Sequence, residues 1–242
     1  MVRRFIWACG ICAALACNTA ALQTPPRANE DAGTETDAAP EDAIADAPST
    51  PDSGCPPPAL LSVANVPPGY MPAVTVTIAR LIDGDSDNFN FPNAQAQGVR
   101  LLFVNTEESG GPEMTDFGVQ TKEIAHAYLR SAKSLQIAVR ESRPGSGMPD
   151  LDPYNRWLSL LFVDGELFQT WLVRQGLSAY YTVFGCAPAP IHEALLYAEA
   201  EANAANRGIW GPGPHNDYKA VLEQWIGNRT CRPNPYKSPY CG

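Results

Sequence analysis

Histidine is scarce in this 242-residue chain, and beyond residue 16 no two cysteines stand in a Cys-x-x-Cys pair. The three histidines, His126, His192 and His215, fall in different segments. A structural zinc site takes its thiolate and imidazole ligands from closely spaced pairs. The spacing therefore excludes a domain stabilised by a structural zinc site.

Positive charge is also in short supply. The formal net charge is -9, and residues 17–58 hold eight acidic residues against the single Arg27. Residues 59–242 hold 14 Lys and Arg against 18 Asp and Glu, so this part is mildly acidic as well. A dedicated DNA-binding module neutralises many phosphates with clustered basic residues. The charge argues against such a module but allows an enzyme that binds one phosphate locally.

Large apolar side chains are almost absent from residues 18–58, which are rich in Ala, Pro, Asp, Thr and Glu. Such a composition cannot form a packed core, so we expect a disordered acidic tether over residues 17–58. Residues 1–16 are typical of an export signal. They combine Arg3 and Arg4 with an apolar run too short to span a bilayer and with a small-residue cleavage site.

Cys17 directly follows that cleavage site. A cysteine in this place resembles a bacterial lipoprotein signal, in which the cysteine is lipidated and anchors the chain to a membrane. Two alternatives remain open: a cell-envelope lipoprotein anchored through Cys17, and a freely secreted protein.

Four further cysteines lie beyond the signal region, and in an exported protein they predict two disulfides. They are Cys55, Cys186, Cys231 and Cys241. Three connectivities are possible. Our preferred pairing joins Cys231 to Cys241 in a local disulfide and Cys55 to Cys186 in a long-range disulfide.

Strand and helix signals alternate between residues 73 and 210. Alternating or β-branched apolar stretches predict strands, and apolar residues at helical spacing predict helices. The predicted strands are Val74–Ile82, Val99–Asn105, Leu135–Arg140 and Arg156–Val163, and the predicted helices are Val119–Ala132, Glu166–Gln175 and Ile191–Arg207. Asp164-Gly165 predicts a tight turn, and Gly176 and Gly208 are placed to end the second and third helices.

These signals predict an α+β fold, a five-stranded barrel of the oligonucleotide-binding (OB) type with three helices, over residues 59–210. Residues 211–242 are expected to form a C-terminal extension with a short helix and a cysteine-containing tail that a disulfide pins to the domain.

Three motifs follow one another in the order known from one enzyme family. They are Arg80–Ser86, which contains Asp-Gly-Asp-Ser; Arg100–Glu108, an apolar strand that begins at an arginine and leads into an acidic loop; and Asp152–Arg156, of the form Asp-x-Tyr-x-Arg. Together with Asp164-Gly165, Leu172–Leu177 and Gly208–Trp210, they resemble the staphylococcal nuclease (thermonuclease-like) family. The resemblance covers about Val74 to Trp210.

The resemblance implies three catalytic residues. Arg100 and Arg156 match the two arginines of the family, which bind the phosphate in bidentate fashion and stabilise the charge that grows on it during hydrolysis. Glu108 matches the glutamate that orients the attacking water. Tyr154 matches a tyrosine near the bound nucleotide.

The resemblance also implies a calcium site made of Asp85, Asn105 and the backbone carbonyl of Thr106, all of them hard oxygen ligands. Asn105 departs from the family, which has aspartate at this position. Because calcium affinity depends on the number of charged ligands, we expect weak calcium binding. Asp87 and Glu107 are alternative sources of the missing charge, unless both are merely solvated in loops.

Two hypotheses follow. The first is an exported, calcium-dependent, monomeric nuclease that hydrolyses phosphodiester bonds of DNA or RNA. The second is a catalytically weakened or inactive binding or scaffold module at the cell surface. The two arginines and Glu108 favour the enzyme, while Asn105, Glu107 and the acidic surface favour the module.

Overall fold

The computed structural model describes residues 61–212 and Cys231. The predicted signal, tether and lipid anchor, Cys55, Cys241 and the helix expected in the C-terminal extension lie outside the described residues. Within residues 61–212, no helix is both long enough and apolar enough to cross a membrane.

The described part is an α+β fold with one curled, half-barrel sheet and three helices. The sheet has seven strands in the order β1-β5-β6-β4-β3-β2, with β7 paired to β6. Their bounds are β1 Val74–Thr75, β2 Thr77–Leu81, β3 Ser86–Phe91, β4 Ala94–Leu101, β5 Leu135–Val139, β6 Trp157–Val163 and β7 Glu166–Leu167. All pairs are antiparallel except β4 with β6.

The curl of the sheet is visible in one segment. β1 and β2 are separated only by Val76, yet β1 pairs with β5 at one end of the strand order and β2 pairs with β3 at the other. The backbone N–H of Val76 donates to the carbonyl of Leu135 at 3.0 Å. The single strand predicted over Val74–Ile82 thus divides between the two edges and brings them together, as in an OB-type barrel.

The predicted count of five strands is not confirmed: among the described residues the sheet has seven strands, of which β1 and β7 are only two residues long. The second predicted strand is also displaced: β4 ends at Leu101 rather than at Asn105. Phe103 has a φ of +67°, in the left-handed region, so the chain turns sharply there and cannot continue as a strand. The turn leaves Asn105 to Glu108 in a loop.

The helices are α1 Asp116–Ser131, α2 Phe168–Arg174 and α3 Ala189–Ala204. The N–H of Gly118 donates to the Thr115 side chain, which caps the start of α1. Gly176, at a φ of +69°, follows the end of α2 as predicted. Gly208 does not end α3: the helix stops at Ala204, and Asn206 is the first residue after it with a positive φ.

The hairpin between β6 and β7 confirms the predicted turn, since Asp164 and Gly165 both have positive φ. β6 runs through the middle of the sheet between β4 and β5, and its Leu160, Leu161 and Phe162 are completely buried. β6 is therefore a rigid central strand, and Arg156 immediately precedes it.

The preferred disulfide pairing is wrong for both described cysteines. Cys186 is bonded to Cys231, with their Cα atoms 5.6 Å apart. Closeness in sequence favoured a local disulfide from Cys231 to Cys241, but pairing depends on which Cα atoms the fold brings within bonding distance. The bond ties the segment before α3 to a residue far along the chain.

Candidate active site

A cleft of about 400 Å³ brings six of the seven predicted site residues together. They come from the start of β3, from β4, from the loop after β4 and from the turn before β6. The lining includes Asp85, Arg100, Asn105, Glu108, Tyr154 and Arg156, together with Ile82, Asp83, Ser86, Asp152, Pro153, Tyr181, Val183 and Phe184. Thr106 is the exception, and it lies behind the lining against Asp85.

Arg100 is buried in the floor of the cleft, with 5% of its surface exposed. Its guanidinium donates to Asp85 Oδ2 at 2.9 Å and to Asn105 Oδ1 at 2.6 Å. It also reaches the carbonyl of Leu101 at 3.1 Å, and its Cζ lies 5.9 Å from the centre of the Phe184 ring. A buried cation needs such partners to offset its lost hydration. The arginine is held rigidly, and Asn105 is one of the groups that hold it.

Arg156 also lines the cleft and is more open to solvent than Arg100. Its Nε and Nη2 both contact Asp152 Oδ2 at 2.6 Å, and its Nη1 donates to Ser86 Oγ at 2.8 Å. Burial of Asp152 opposes ionisation, but hydrogen bonds from the Arg156 backbone and side chain hold the pKa of this carboxyl below its usual value. Tyr154, 80% exposed, places its ring 5.3 Å from the guanidinium carbon. Arg156 is thus a fixed cation with one face toward the cleft.

The turn Asp83-Gly84-Asp85 forms the acidic side of the cleft. Asp85 Oδ2 accepts a hydrogen bond from the Thr106 backbone N–H at 2.9 Å. A Cβ on Gly84 would lie 2.8 Å from Thr106 Cγ2, so only glycine allows the turn to approach this loop so closely. Behind the turn, His126 Nε2 of α1 lies 2.9 Å from the carbonyl oxygen of Asp83.

Glu108 projects from the loop after β4, and its side chain is exposed while its backbone is fixed. Its carbonyl accepts from the N–H of Thr115 at 3.0 Å, and a Cβ on Gly118 would lie 2.1 Å from that carbonyl oxygen. Partial desolvation, followed by the charges of Asp83 and Asp85, raises the pKa of the Glu108 carboxyl, while Arg100 opposes the rise. A carboxylate with a raised pKa is suited to accept a proton.

The residues predicted to bind calcium fit that ion in the kind of ligand but offer little charge. Asp85, Asn105 and Thr106 supply hard oxygens, but only Asp85 is a carboxylate. In residues 61–212 and at Cys231, no three Asp, Glu, His or Cys side chains are grouped closely enough to hold a metal by themselves. The pKa of Asp83 is raised, first by desolvation and also by the charge of Asp85, so a cation here would relieve repulsion between carboxylates.

Neither alternative source of charge lines the cleft, and neither residue is solvated in a loop. Asp87 is 4% exposed, and its Oδ1 accepts from the backbone N–H of Ile82 at 2.6 Å and lies 3.4 Å from His126 Nε2. Glu107 is equally buried and accepts a hydrogen bond from the Thr115 hydroxyl at the start of α1. Both carboxylates hold the backbone around the site.

Two groups of lining residues were missed by the sequence reasoning as functional residues. Asp83 and Ser86 belong to the motif that identified Asp85, so the motif contained the signal that they lie in the cleft. Tyr181, Val183 and Phe184 form a second group, which we call the cleft wall. No motif marks the cleft wall. Its position depends on hydrogen bonds to residues that are distant in sequence, including one of 2.8 Å from Arg140 to the Phe184 carbonyl.

Comparison with known proteins agrees with the geometry. The sequence model of the family described as staphylococcal nuclease homologue matches residues 98–212. The chain is 29% identical over 140 residues to Endonuclease YncB of Bacillus subtilis (strain 168). The aligned region covers 57% of this chain and 62% of that protein. It is 26% identical over 140 residues to the SPbeta prophage-derived endonuclease YokF of the same strain, and this alignment covers 57% of this chain and 44% of that protein.

The chain therefore spans less than two thirds of the length of either relative. The matched region contains Arg100, Asn105, Glu108 and Arg156, and each of the three motifs seen in the sequence contributes residues to the lining of the cleft. Residues 98–212 therefore match the staphylococcal nuclease homologue family.

Proposed function

We propose that this protein is a calcium-dependent nuclease that hydrolyses phosphodiester bonds of DNA or RNA in the cleft. One observation carries the proposal: two arginines, one from β4 and one from the turn before β6, line the same cleft as Glu108 and Asp85. Cations for the phosphate and a carboxylate for the attacking water are what this hydrolysis requires. The names of the two relatives, both endonucleases, support the same reaction class.

Arg100 and Arg156 bind the phosphate oxygens and stabilise the negative charge that increases in the transition state. Their fixed partners matter here, because a preorganised cation needs no rearrangement when the charge develops. Arg156 retains exposed surface for the substrate, whereas Arg100 must share its N–H groups between the phosphate and its present partners, Asp85 and Asn105.

Glu108 orients the water and accepts its proton. Its raised pKa makes it a better base than an ordinary exposed glutamate, and the Thr115 hydrogen bond keeps its backbone in position. Calcium, held by Asp85, Asn105 and the Thr106 carbonyl, would supply positive charge next to the phosphate. The exposed ring of Tyr154 offers a surface for a nucleotide base or sugar.

The proposal includes export of the protein through residues 1–16, either with lipid attachment at Cys17 or as a free monomer. The four cysteines beyond the signal region support an oxidising compartment, and the disulfide between Cys186 and Cys231 is consistent with it. Release of the protein from bacterial cells with and without Cys17→Ser, followed by fractionation, tests the anchor. Equal membrane association of both forms would contradict it.

The enzymatic proposal is tested by incubating the oxidised protein with single-stranded DNA and with RNA, in calcium or in chelator. Cleavage is expected only with calcium. Glu108→Gln is expected to lower kcat by about 10²–10⁴-fold, and Arg156→Gln by about 10²–10³-fold. Glu193→Gln, an exposed change on α3, is the control and should leave the rate unchanged. Absence of cleavage by the parent at every calcium concentration would overturn the proposal and support a binding or scaffold module instead.

A further inference from the structure

Ser86 is the first residue of β3 and stands directly opposite Arg100 in the β3–β4 register. Its side chain is nearly buried, with 8% of the residue exposed, and it lines the cleft between the two arginines. Its hydroxyl group connects two residues with proposed roles in the reaction, the calcium ligand Asp85 and the phosphate-binding Arg156.

The Ser86 hydroxyl makes two hydrogen bonds of 2.8 Å. It donates to Asp85 Oδ1 and accepts from Arg156 Nη1. Since Asp85 Oδ2 is the partner of Arg100, one continuous set of contacts crosses the floor of the cleft. In order, its members are Asn105, Arg100, Asp85, Ser86, Arg156 and Asp152.

The direction of these bonds is fixed by chemistry. A serine hydroxyl has one hydrogen, and an ionised carboxylate can only accept, so the hydrogen must point to Asp85. The guanidinium of Arg156 can only donate, so it uses a lone pair of the same oxygen. Both bonds have a charged partner, and hydrogen bonds in such a chain polarise one another.

We propose that Ser86 is a positioning residue that fixes the two guanidiniums relative to each other, so that both meet the same phosphate. The inference rests on the proposed nuclease function. Ser86 acts through Arg156 and Asp85 and touches neither the substrate phosphate nor the attacking water. Without the hydroxyl, Arg156 keeps Asp152 as its partner but loses the hydrogen bond that fixes its Nη1.

The first test compares the cleavage kinetics of Ser86→Ala and Ser86→Thr. Ser86→Ala is expected to lower kcat about tenfold, the effect of about 1.4 kcal/mol of lost transition-state stabilisation, with little change in KM. Ser86→Thr should restore the rate, because threonine keeps the hydroxyl and suits a β-strand. Ser131→Ala, in the last turn of α1, serves as the control and should match the parent. Parental kcat in Ser86→Ala would overturn the inference while leaving the nuclease function intact.

The second test asks whether Ser86 acts through Arg156. In a double-mutant cycle, Ser86→Ala should cost about tenfold in the parent but less than about twofold in Arg156→Gln, because the group it positions has already been removed. The same tenfold loss in both backgrounds would show that Ser86 acts independently, and it would overturn the inference.

A third measurement needs no catalysis. The side-chain Nε–H NMR signal of Arg156 should move in Ser86→Ala and return in Ser86→Thr, with thermal denaturation confirming that all variants are folded. An unchanged signal in folded Ser86→Ala would overturn the inference. If the parent protein cleaves no nucleic acid, the proposed function fails, and this signal still reports whether the hydroxyl orients the guanidinium.

Discussion

Asn105→Asp replaces the amide nitrogen of a half-buried side chain with a charged oxygen and keeps its shape. In the present structure Asn105 Oδ1 accepts from Arg100 Nη2 at 2.6 Å, and Asp85 is the only carboxylate among the proposed calcium ligands. The substitution therefore adds one charge both to the partners of Arg100 and to the ligands of calcium.

The size of the effect follows from the charges. Two unit charges about 4 Å apart interact by about 4 kcal/mol at an effective dielectric constant of 20. A divalent cation gains about twice that from the new carboxylate, and repulsion between this carboxylate and Asp85 takes back about one such interaction. Solvent and the tighter ion pair with Arg100 reduce the remainder. We expect at least a tenfold gain in calcium affinity, which corresponds to about 1.4 kcal/mol.

The assay is calorimetric titration of the oxidised protein with calcium in the absence of nucleic acid, followed by cleavage rates as a function of calcium concentration. Half-maximal cleavage should occur at about one tenth of the parental calcium concentration, in line with the tenfold gain in affinity. Asn93→Asp makes the same change of charge in the exposed turn between β3 and β4, and it should leave both measurements unchanged.

Unchanged calcium affinity in Asn105→Asp would refute the proposal that Asn105 is a calcium ligand. An equal gain in Asn93→Asp would show that net charge, rather than a ligand, is responsible. Cleavage by Asn105→Asp but not by the parent would identify a site that keeps its arginines but has lost its metal.

Further predictions concern the acidic turn, the start of α1 and the disulfide. Asp83→Asn removes a charge that raises the pKa of Glu108, and since the ionised carboxylate is the active form, the acidic limb of the pH–rate profile should move to lower pH. Gly118→Ala forces a Cβ against the Glu108 carbonyl, so it should lower the thermal unfolding midpoint and kcat, whereas Gly110→Ala, which meets no atom within 4 Å, should do neither. Replacing both cysteines of the described disulfide with serine should raise KM for nucleic acid more than it lowers kcat, and a reductant should do the same to the parent but nothing further to the variant.

Features that depend on a few neighbouring residues were predictable from the sequence. Asp164-Gly165 must adopt positive φ in a two-residue hairpin, and Gly176 can end α2 at no steric cost. The grouping of six predicted site residues around one cleft was predictable, because these residues lie in short motifs with a recognisable order along the chain. Such motifs give the residue types and their spacing, and the regular geometry of a strand such as β4 determines where the side chains lie relative to one another.

Other features depend on contacts between distant segments. β3 has the sequence Ser-Asp-Asn-Phe-Asn-Phe, which is too polar for a strand prediction, yet pairing on both sides with β2 and β4 makes it one. Asp87 and Glu107 look like solvated loop residues until the amides and hydroxyl that they accept from are known. Phe103 breaks a strand pattern because its turn is stabilised elsewhere, by the bond from the Tyr181 N–H to its carbonyl.

The bond between Cys186 and Cys231 has a practical consequence for anyone who wishes to shorten the protein. The family match ends at residue 212, so a fragment cut at that boundary would contain every proposed catalytic residue and still lose Cys231. It would then present an unpaired thiol two residues from Phe184, in the cleft wall. A truncated enzyme with weak substrate binding or a tendency to dimerise through cysteine would report this missing partner rather than a defect in the reaction centre.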